Sequence, residues 1–449
     1  MRLARTNFSI ASGLVLASGL ALAACGEVTN HLPDGPPAGG DGGPGADVAP
    51  PQPVTATVFS PNGERIAIPG VQVVFVEPNG MRHRVVTDNE GIASAVVPAG
   101  SSVSAVWLQN SNYYQIETVQ NVSPGDHINL VGTNSDYTLV GQVNISYPAQ
   151  AGVSYYYVYG PCGSWYAGNT TSIKYDIRGY CAPKDGKMTI SVTPRDPNGQ
   201  VMGYIDMVDV AYTDGMTVNL SGTYRTLNSF TATYTNLDAQ VAGYISMSRY
   251  VAPRGYSTGD GQQITTTMTT LTGTTPTSTA PAFVQTTLYD NMSGQQRIYQ
   301  KLAGNSLAYN LDVRANLLAF LGYPTLDPMT RKITTPTSTT TPYDAAYARV
   351  YYSHHLATDA GPQGIDVSWS IVGPSLDGFT LPDLGPEVGD FGVAVGDDIY
   401  NGQATILESE GIASYDVVKP DFFLVLYDPF AALGLASDKI LRISETNFD

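Results

Sequence analysis

The stretch VQVVFVEPNGMRHRVVTDNEGIASAVV, Val71 to Val97, decides the fold. Val71 to Val76 is a run of β-branched and aromatic residues, and it stops at Glu77-Pro78-Asn79-Gly80. Proline presets the first corner of such a turn, asparagine tolerates the second, and glycine takes the left-handed position that re-enters the next strand. Arg82 to Thr87 and Ile92 to Val97 follow at hairpin spacing. Upstream, Val54 to Val58 alternates and Ser60-Pro61-Asn62-Gly63 turns; downstream, Val103 to Leu108 reads as a further strand. Short strands punctuated this regularly belong to a sandwich rather than to a helical fold.

Within that stretch, Thr87-Asp88-Asn89-Glu90-Gly91-Ile92-Ala93, followed by Pro98-Ala99-Gly100, resembles the TDxxG turn of bacterial immunoglobulin-like and carboxypeptidase-regulatory-like modules. The resemblance covers about residues 54 to 108. It implies a spacer or adhesive unit with no catalytic residue to transfer.

An internal repeat extends the pattern. Gly125-Asp126-His127-Ile128-Asn129-Leu130-Val131-Gly132-Thr133 returns as Gly215-Met216-Thr217-Val218-Asn219-Leu220-Ser221-Gly222-Thr223. At the same offset Ala149-Gln150 returns as Ala239-Gln240, and each copy runs through a Tyr-rich strand to Pro161 or Pro253. A period of this size suits one β-sandwich per copy, with the repeated run as a final strand crossing into the next domain. The expectation is therefore an all-β chain of tandem immunoglobulin-like β-sandwich domains at 54–131, 132–222 and 223–313, with a β-rich C-terminal domain at 314–449. In that last part Ala348 to His354, Ile365 to Val372 and Phe422 to Tyr427 read as strands, and Asp428-Pro429 as the start of a short helix through Leu435.

The N-terminus gives an address. Arg2 and Arg5 precede an uncharged run from Phe8 to Ala24, the pattern of a secretory signal peptide at 1–24. The run is short for a membrane-spanning helix, which wants about 20 apolar residues. Leu22-Ala23-Ala24-Cys25 resembles the lipobox of bacterial lipoproteins. That resemblance implies cleavage before Cys25, acylation of Cys25 and anchorage in the lipid bilayer. Gly26 stands where inner-membrane members often carry Asp, which favours the outer membrane. Stable anchoring takes more than one acyl chain. Residues 25–53 then form a lipidated cysteine and a Pro/Gly-rich linker with almost nothing to bury, expected to be disordered.

Loss of the leader leaves 20 basic residues against 39 acidic, a net charge of −19. Nucleic acid and anionic headgroups would be repelled, so the acylated Cys25 carries the bilayer contact, and envelope proteins or polysaccharide are the remaining partners. Once Cys25 goes to lipid, Cys162 and Cys181 are left as a pair in an oxidising compartment, where one disulfide is the simplest arithmetic. Such a loop contributes about 3 kcal/mol in the chain-entropy account.

No catalytic motif stands out. HExxH, S-x-x-K and GxxxxGK[ST] are all missing, and a non-catalytic role without cofactor or metal is expected. His31 lies alone in the linker, and the adjacent His354 and His355 would project to opposite faces of a strand. The acids Asp377, Asp383, Glu387, Asp390, Asp397, Asp398, Glu408 and Glu410 form no calcium-loop spacing and read as loop acids. Thr265 to Pro281 and Thr334 to Pro342 read as plain loops. Tyr155, Tyr156, Tyr157 and Tyr159 must point to both faces of their strand, and the Gly-rich loop holding Trp165 and Tyr166 is the candidate ligand-binding surface. Three functions follow: a lipid-anchored scaffold or protein-interaction module, a glycan- or polymer-binding lipoprotein marked by three coplanar exposed rings, and a hydrolase marked by two carboxylates converging in a cleft.

Overall fold

A computed structural model describes residues 52–60, 66–110, 112–132, 139–178, 182–183, 186–237, 242–251, 254–257, 262–264, 269–276, 282–289, 294–302, 308–338, 340–358, 361–389, 391–427 and 439–446. The leader, Cys25, nearly all of the linker and the helix expected from Asp428 lie outside these residues.

In the first unit the chain forms β1 (Val54–Ser60), β2 (Ile66–Ala67), β3 (Gln72–Val76), β4 (Arg82–Val86), β5 (Ile92–Ala95), β6 (Ser101–Asn110), β7 (Tyr113–Val122) and β8 (His127–Val131). β1 is the hub of one sheet, antiparallel to β2 and β5 and parallel to β8. The facing sheet runs β4-β3-β6-β7. Val54, Ala56 and Val58 alternate into the space between them and are fully buried, as are Val73 and Phe75 from the other side. The TDxxG turn is built residue by residue. Thr87 Oγ1 accepts from Val71 N and donates to Ile68 O, both at 2.9 Å, while Asp88 Oδ1 accepts from Glu90 N and Ile92 N. Gly91 has φ 74°, and a Cβ there would lie 2.5 Å from Val58 O, so only glycine fits.

The second unit contains β9 (Leu139–Ser146), β10 (Tyr155–Gly160), β11 (Gly163–Tyr166), β12 (Ser172–Arg178), β13 (Lys187–Arg195), β14 (Ile205–Ala211) and β15 (Thr217–Asn219). Its sheets are β12-β9-β15 and β11-β10-β13-β14. The third contains β16 (Leu227–Thr235), β17 (Ala242–Val251), β18 (Arg254–Ser257), β19 (Gln262–Ile264), β20 (Thr270–Pro276), β21 (Ala282–Tyr289), β22 (Gly294–Lys301) and β23 (Ala308–Asp312). Here the sheets are β20-β16-β23 and β17-β21-β22 with β18 and β19 on β17. All three units share one plan: the opening strand pairs parallel with the closing strand and antiparallel with a middle one. They are immunoglobulin-like sandwiches, with the first strand in the sheet of a middle strand and the last. In the constant-type partition it joins the second, fourth and fifth. Threonine-rich Thr270–Pro276, expected as loop, is the strand β20, because β-branched threonine suits a pleated surface.

The remaining chain forms α1 (Val313–Asn316), β24 (Thr325–Leu326), β25 (Ile333–Thr334), β26 (Ala345–Thr358), β27 (Gly361–Gly373), β28 (Asp398–Ser409), α2 (Tyr415–Val418), α3 (Phe422–Tyr427) and β29 (Ile440–Thr446). Phe422 to Tyr427, expected as a strand, is the helix α3. A six-residue apolar run does not reveal its own period, and Phe422, Phe423 and Val425 are all buried against the first unit. The ribbon β27-β26-β28-β29 does not stand apart. β27 adds parallel to β7 from Tyr113 to Val119, and β29 adds antiparallel to β22 from Gly294 to Gln300. One 13-stranded sheet thus runs from the third unit through the C-terminal ribbon into the first. The blocks 54–131, 223–313 and 314–449 share it; the sheets of the second unit stay outside.

Side chains lock this junction. Trp369 is buried and donates from Nε1 to Thr118 Oγ1 at 2.9 Å across the β27–β7 seam. Lys419, 3% exposed, lies 2.7 Å from both Asp126 and Asp416 and donates to Asn121 O, pinning the α2–α3 segment on the first unit. Its two carboxylates hold the ammonium charged despite burial, with a raised pKa.

Glu117 of β7 is the costly group in this core. It is fully buried, accepts from Val131 N at 2.8 Å and from Gln115 at 3.2 Å, and feels the charge of Arg349. Desolvation outweighs these and raises its pKa to about 8. The folded protein therefore keeps a proton that the unfolded chain releases near pH 4.5, and stability falls as pH rises from about 4.5 to about 8. The slope from this group reaches about 1.4 kcal/mol per pH unit. Denaturant midpoints measured from pH 5 to pH 9 should show that decline in wild type and lose it in Glu117→Gln; parallel profiles would contradict it.

Candidate functional site

The tyrosine strand β10 divides its side chains between two worlds. Tyr156 and Val158 enter the core of the second unit, 3% and 0% exposed, whereas Tyr155, Tyr157 and Tyr159 are half-buried on the outer face. Inside, Tyr156 packs 5.0 Å from Tyr147 and 6.4 Å from Tyr224, and its hydroxyl accepts from Gln150 N. Burial pushes the Tyr147 hydroxyl up to about 12, and Tyr147 donates to Thr170 O at 2.9 Å.

Outside, four rings meet. Tyr155 and Tyr157 lie 5.7 Å apart, Tyr157 and Tyr159 6.2 Å, and Tyr166 of β11 packs 5.4 Å from Tyr155 and 5.8 Å from Tyr157. Arg195 of β13 lies 5.6 Å over the Tyr157 ring and donates to Gly199 O. The rings are tilted rather than coplanar, with interplanar angles from 39° to 84°. They make a ridged surface of ring edges and hydroxyls, without the flat platform named as the sign of a glycan binder.

Trp165 and Tyr166 sit on the strand β11, not in a loop. Register places Tyr166 opposite Tyr157 and Trp165 opposite the core residue Val158, so the two side chains leave on opposite faces. Tyr166, 59% exposed, joins the tyrosine cluster; Trp165, 45% exposed, does not. Which of the two rings joins the cluster is set by the register of β11 with β10, which the sequence alone does not reveal.

Cys162 lies in the two-residue connection between β10 and β11, where Gly163 takes φ 94°. Its Sγ accepts from Arg178 N at 3.5 Å, which puts it against the end of β12 in the facing sheet, three residues before Cys181. Cys181 lies outside the described residues. Tyr175 of β12 packs under this connection, its hydroxyl donating to Gly163 O at 2.7 Å, and a Cβ on Gly160 would meet its ring at 2.8 Å.

The other candidate groups are engaged elsewhere. His354 is buried against Asp397 at 2.9 Å, and His83 meets Glu77 at 2.7 Å; the His355 side chain and Asp390 lie outside the described residues. Asp383 and Glu387 flank Arg82, and Glu408 and Glu410 flank Arg442. Among the described residues no three His, Cys, Asp or Glu side chains converge on a metal position. A cleft of about 420 Å³ between the first unit and the segment around Phe391 is lined by residues such as Gln72, Val106, Leu108 and Tyr114 and holds no carboxylate. A neighbouring one of about 180 Å³ holds Asp383 alone. The converging carboxylates of a hydrolase are not found in either. No described helix is long and apolar enough to cross a membrane.

No family model and no curated protein matches the chain. Among solved structures it is similar to the Bacillus anthracis TIE protein at 11% identity, with 58% of this chain and 50% of that one covered and a TM-score of 0.15. It is similar to BcpA, the major pilin subunit of Bacillus cereus, at 8% identity, 58% and 98% coverage and a TM-score of 0.15, and to a putative adhesin from Bacteroides ovatus at 9%, 66% and 95%, and 0.11. The chain spans half the length of the first. Likenesses this slight assign no function.

If Tyr175 holds the hairpin that carries Tyr166, Tyr175→Phe should cost about 1 kcal/mol in the second unit and speed amide exchange over Gly163 to Tyr166. Unchanged exchange there would show that the hairpin is held by other contacts.

Proposed function

We propose that this chain is a lipid-anchored cell-envelope protein whose tandem β-sandwiches form a non-catalytic scaffold and whose second unit is a protein-interaction module. The observation that carries the reading is the cluster of Tyr155, Tyr157, Tyr159 and Tyr166 on the outer face of β10 and β11. Tyrosine supplies large contact area at low entropic cost and is enriched where proteins meet. Tilted rings suit an irregular protein surface better than the flat face of a sugar. Charge distribution is consistent with this: 18 of the 39 acids fall in residues 314–449, which leaves the second and third units close to neutral.

Cys25 supplies the anchor and the Pro/Gly linker the reach, with the outer membrane as the destination. Cys162→Ser/Cys181→Ser removes the second element of the reading, a disulfide between the β10–β11 connection and the segment after β12. The bridge would tie the hairpin to the facing sheet; a disulfide prefers α-carbons about 5.5 Å apart.

Three outcomes test this. Cys25→Ser should release the protein from membranes without changing the folding of residues 54–449; mutant protein in the alkaline-washed pellet, in equal amount, would contradict the anchor. Non-reduced tryptic mapping should find Cys162 joined to Cys181, with removal costing about 2 to 4 kcal/mol in the second unit alone; two free thiols would end that part. In surface cross-linking, Tyr155→Ala/Tyr157→Ala/Tyr166→Ala should lose an envelope-protein adduct that wild type forms through the second unit, truncation of such aromatic anchors costing about 2 kcal/mol or more at a hot spot. An adduct of equal yield in both would contradict the tyrosine face, and retention by purified envelope polysaccharide that the triple variant loses would favour the glycan reading.

A further inference from the structure

In each sandwich the sheet that lacks the opening strand ends on an equivalent strand, β7, β14 or β22, and among the described residues a further strand covers two of these. β22 pairs with β21 in unbroken register from Gln295 to Lys301, and β29 adds along it from Gly294 to Gln300. β7 is in register with β6 from Tyr114 to Val119, a first shift lying where Asn110 meets Tyr113, and a second comes at its end. There, between Val119 and Val122, its register with β6 shifts around Asn121, which has φ 58°. The added strand β27 pairs from Tyr113 to Val119 and stops at that bulge. β14 carries the same feature in its middle. Met207 pairs with Ile190 and Val210 with Met188, so Val208 and Asp209 face the single residue Thr189, and Asp209 has φ 56°. Its uninterrupted run is Ile205 to Met207, and among the described residues no strand is added to it.

We infer that the bulge at Val208 and Asp209 blocks strand addition to β14, directing the C-terminal ribbon to the first and third units and keeping the second unit from pairing edge to edge with another copy. A bulge leaves one residue out of the ladder, bends the strand and strengthens its twist, so an incoming strand meets the ladder in register on one side only. The series supports a rule of length: six or seven residues in register with the neighbouring strand accept a further strand, and three do not. The need for such a device is visible in the side chains. Met207 and Val208 are 39% and 43% exposed, an apolar pair on an open edge that would otherwise invite pairing. Asp206, salt-bridged to Arg225 at 2.5 Å, and Asp209 add charge to the same edge.

The test uses the full chain carrying Cys25→Ser, in sedimentation velocity over a roughly hundredfold range of concentration. Wild type and Asp209→Gly, which keeps the bulge and removes the charge, should show no concentration dependence through this edge. Deletion of Asp209, which restores a continuous run from Ile205 to Ala211, should self-associate, with new exchange protection confined to β14. A folded deletion variant that stays monomeric would overturn the inference, and so would Asp209→Gly associating as strongly as the deletion. Should the deletion variant not fold, exchange in wild type decides: amides of β14 that face away from β13 should exchange equally fast at every concentration, and protection that grows with concentration would overturn it.

Discussion

Hydrogen-bonding capacity left over at a sheet edge is the constraint around which this chain is built. Each sandwich closes its core with two sheets, and the sheet that lacks the opening strand ends on a strand with one side open to further pairing; such edges template unwanted pairing. The first and third units spend theirs on the C-terminal ribbon, so strands distant in sequence become neighbours: β27 beside β7 and β29 beside β22. The buried side chains at these seams follow from that choice. Trp369 reaches Thr118, Arg297 meets Glu445, and Lys419 is held by Asp126 and Asp416, each a polar group whose burial is tolerable because a partner arrives with the added strand or its helices.

Local chemistry was legible in the sequence, and long-range pairing was not. The turn at Thr87 to Gly91 could be read because each of its residues acts within a few positions of itself, through a side-chain bond or through the lack of a Cβ. The repeated run ending in Thr133 and Thr223 does mark a closing strand, β8 in one copy and β15 in the other. The third unit follows the same plan, its opening strand β16 pairing parallel with β23. Nothing in Ile365 to Val372 announces that it will lie parallel to Tyr113 to Val119, since edge pairing is specified by surfaces that exist only after each sheet forms. Phe422 to Tyr427 illustrates the opposite limit, a run too short to carry a period, whose helical form is fixed by the core it packs on.

The candidate site shows the same division. Alternation along Tyr155 to Tyr159 was readable from the two-residue period, and it places three rings outward. That Tyr166 joins them and Trp165 does not depends on the pairing of β11 with β10, a register set by the Pro161-Cys162 connection. The outward cluster gains its form from packing within the sheet: Arg195 under one end, tilted neighbours along the strand, and Tyr175 fixing the hairpin from below. A unit with its own core, its own pair of sheets and an edge closed to strand addition can present that face without involving the rest of the chain.

That independence can be measured by differential scanning calorimetry of the exported protein, since cooperative blocks that share a core and a sheet melt together and those that do not melt apart. The account predicts two transitions: a large one comprising the first unit, the third unit and the C-terminal ribbon, and a smaller one for the second unit. Separate transitions for the first unit, the third unit and residues 314–449, or a single transition that includes the second unit, would contradict it.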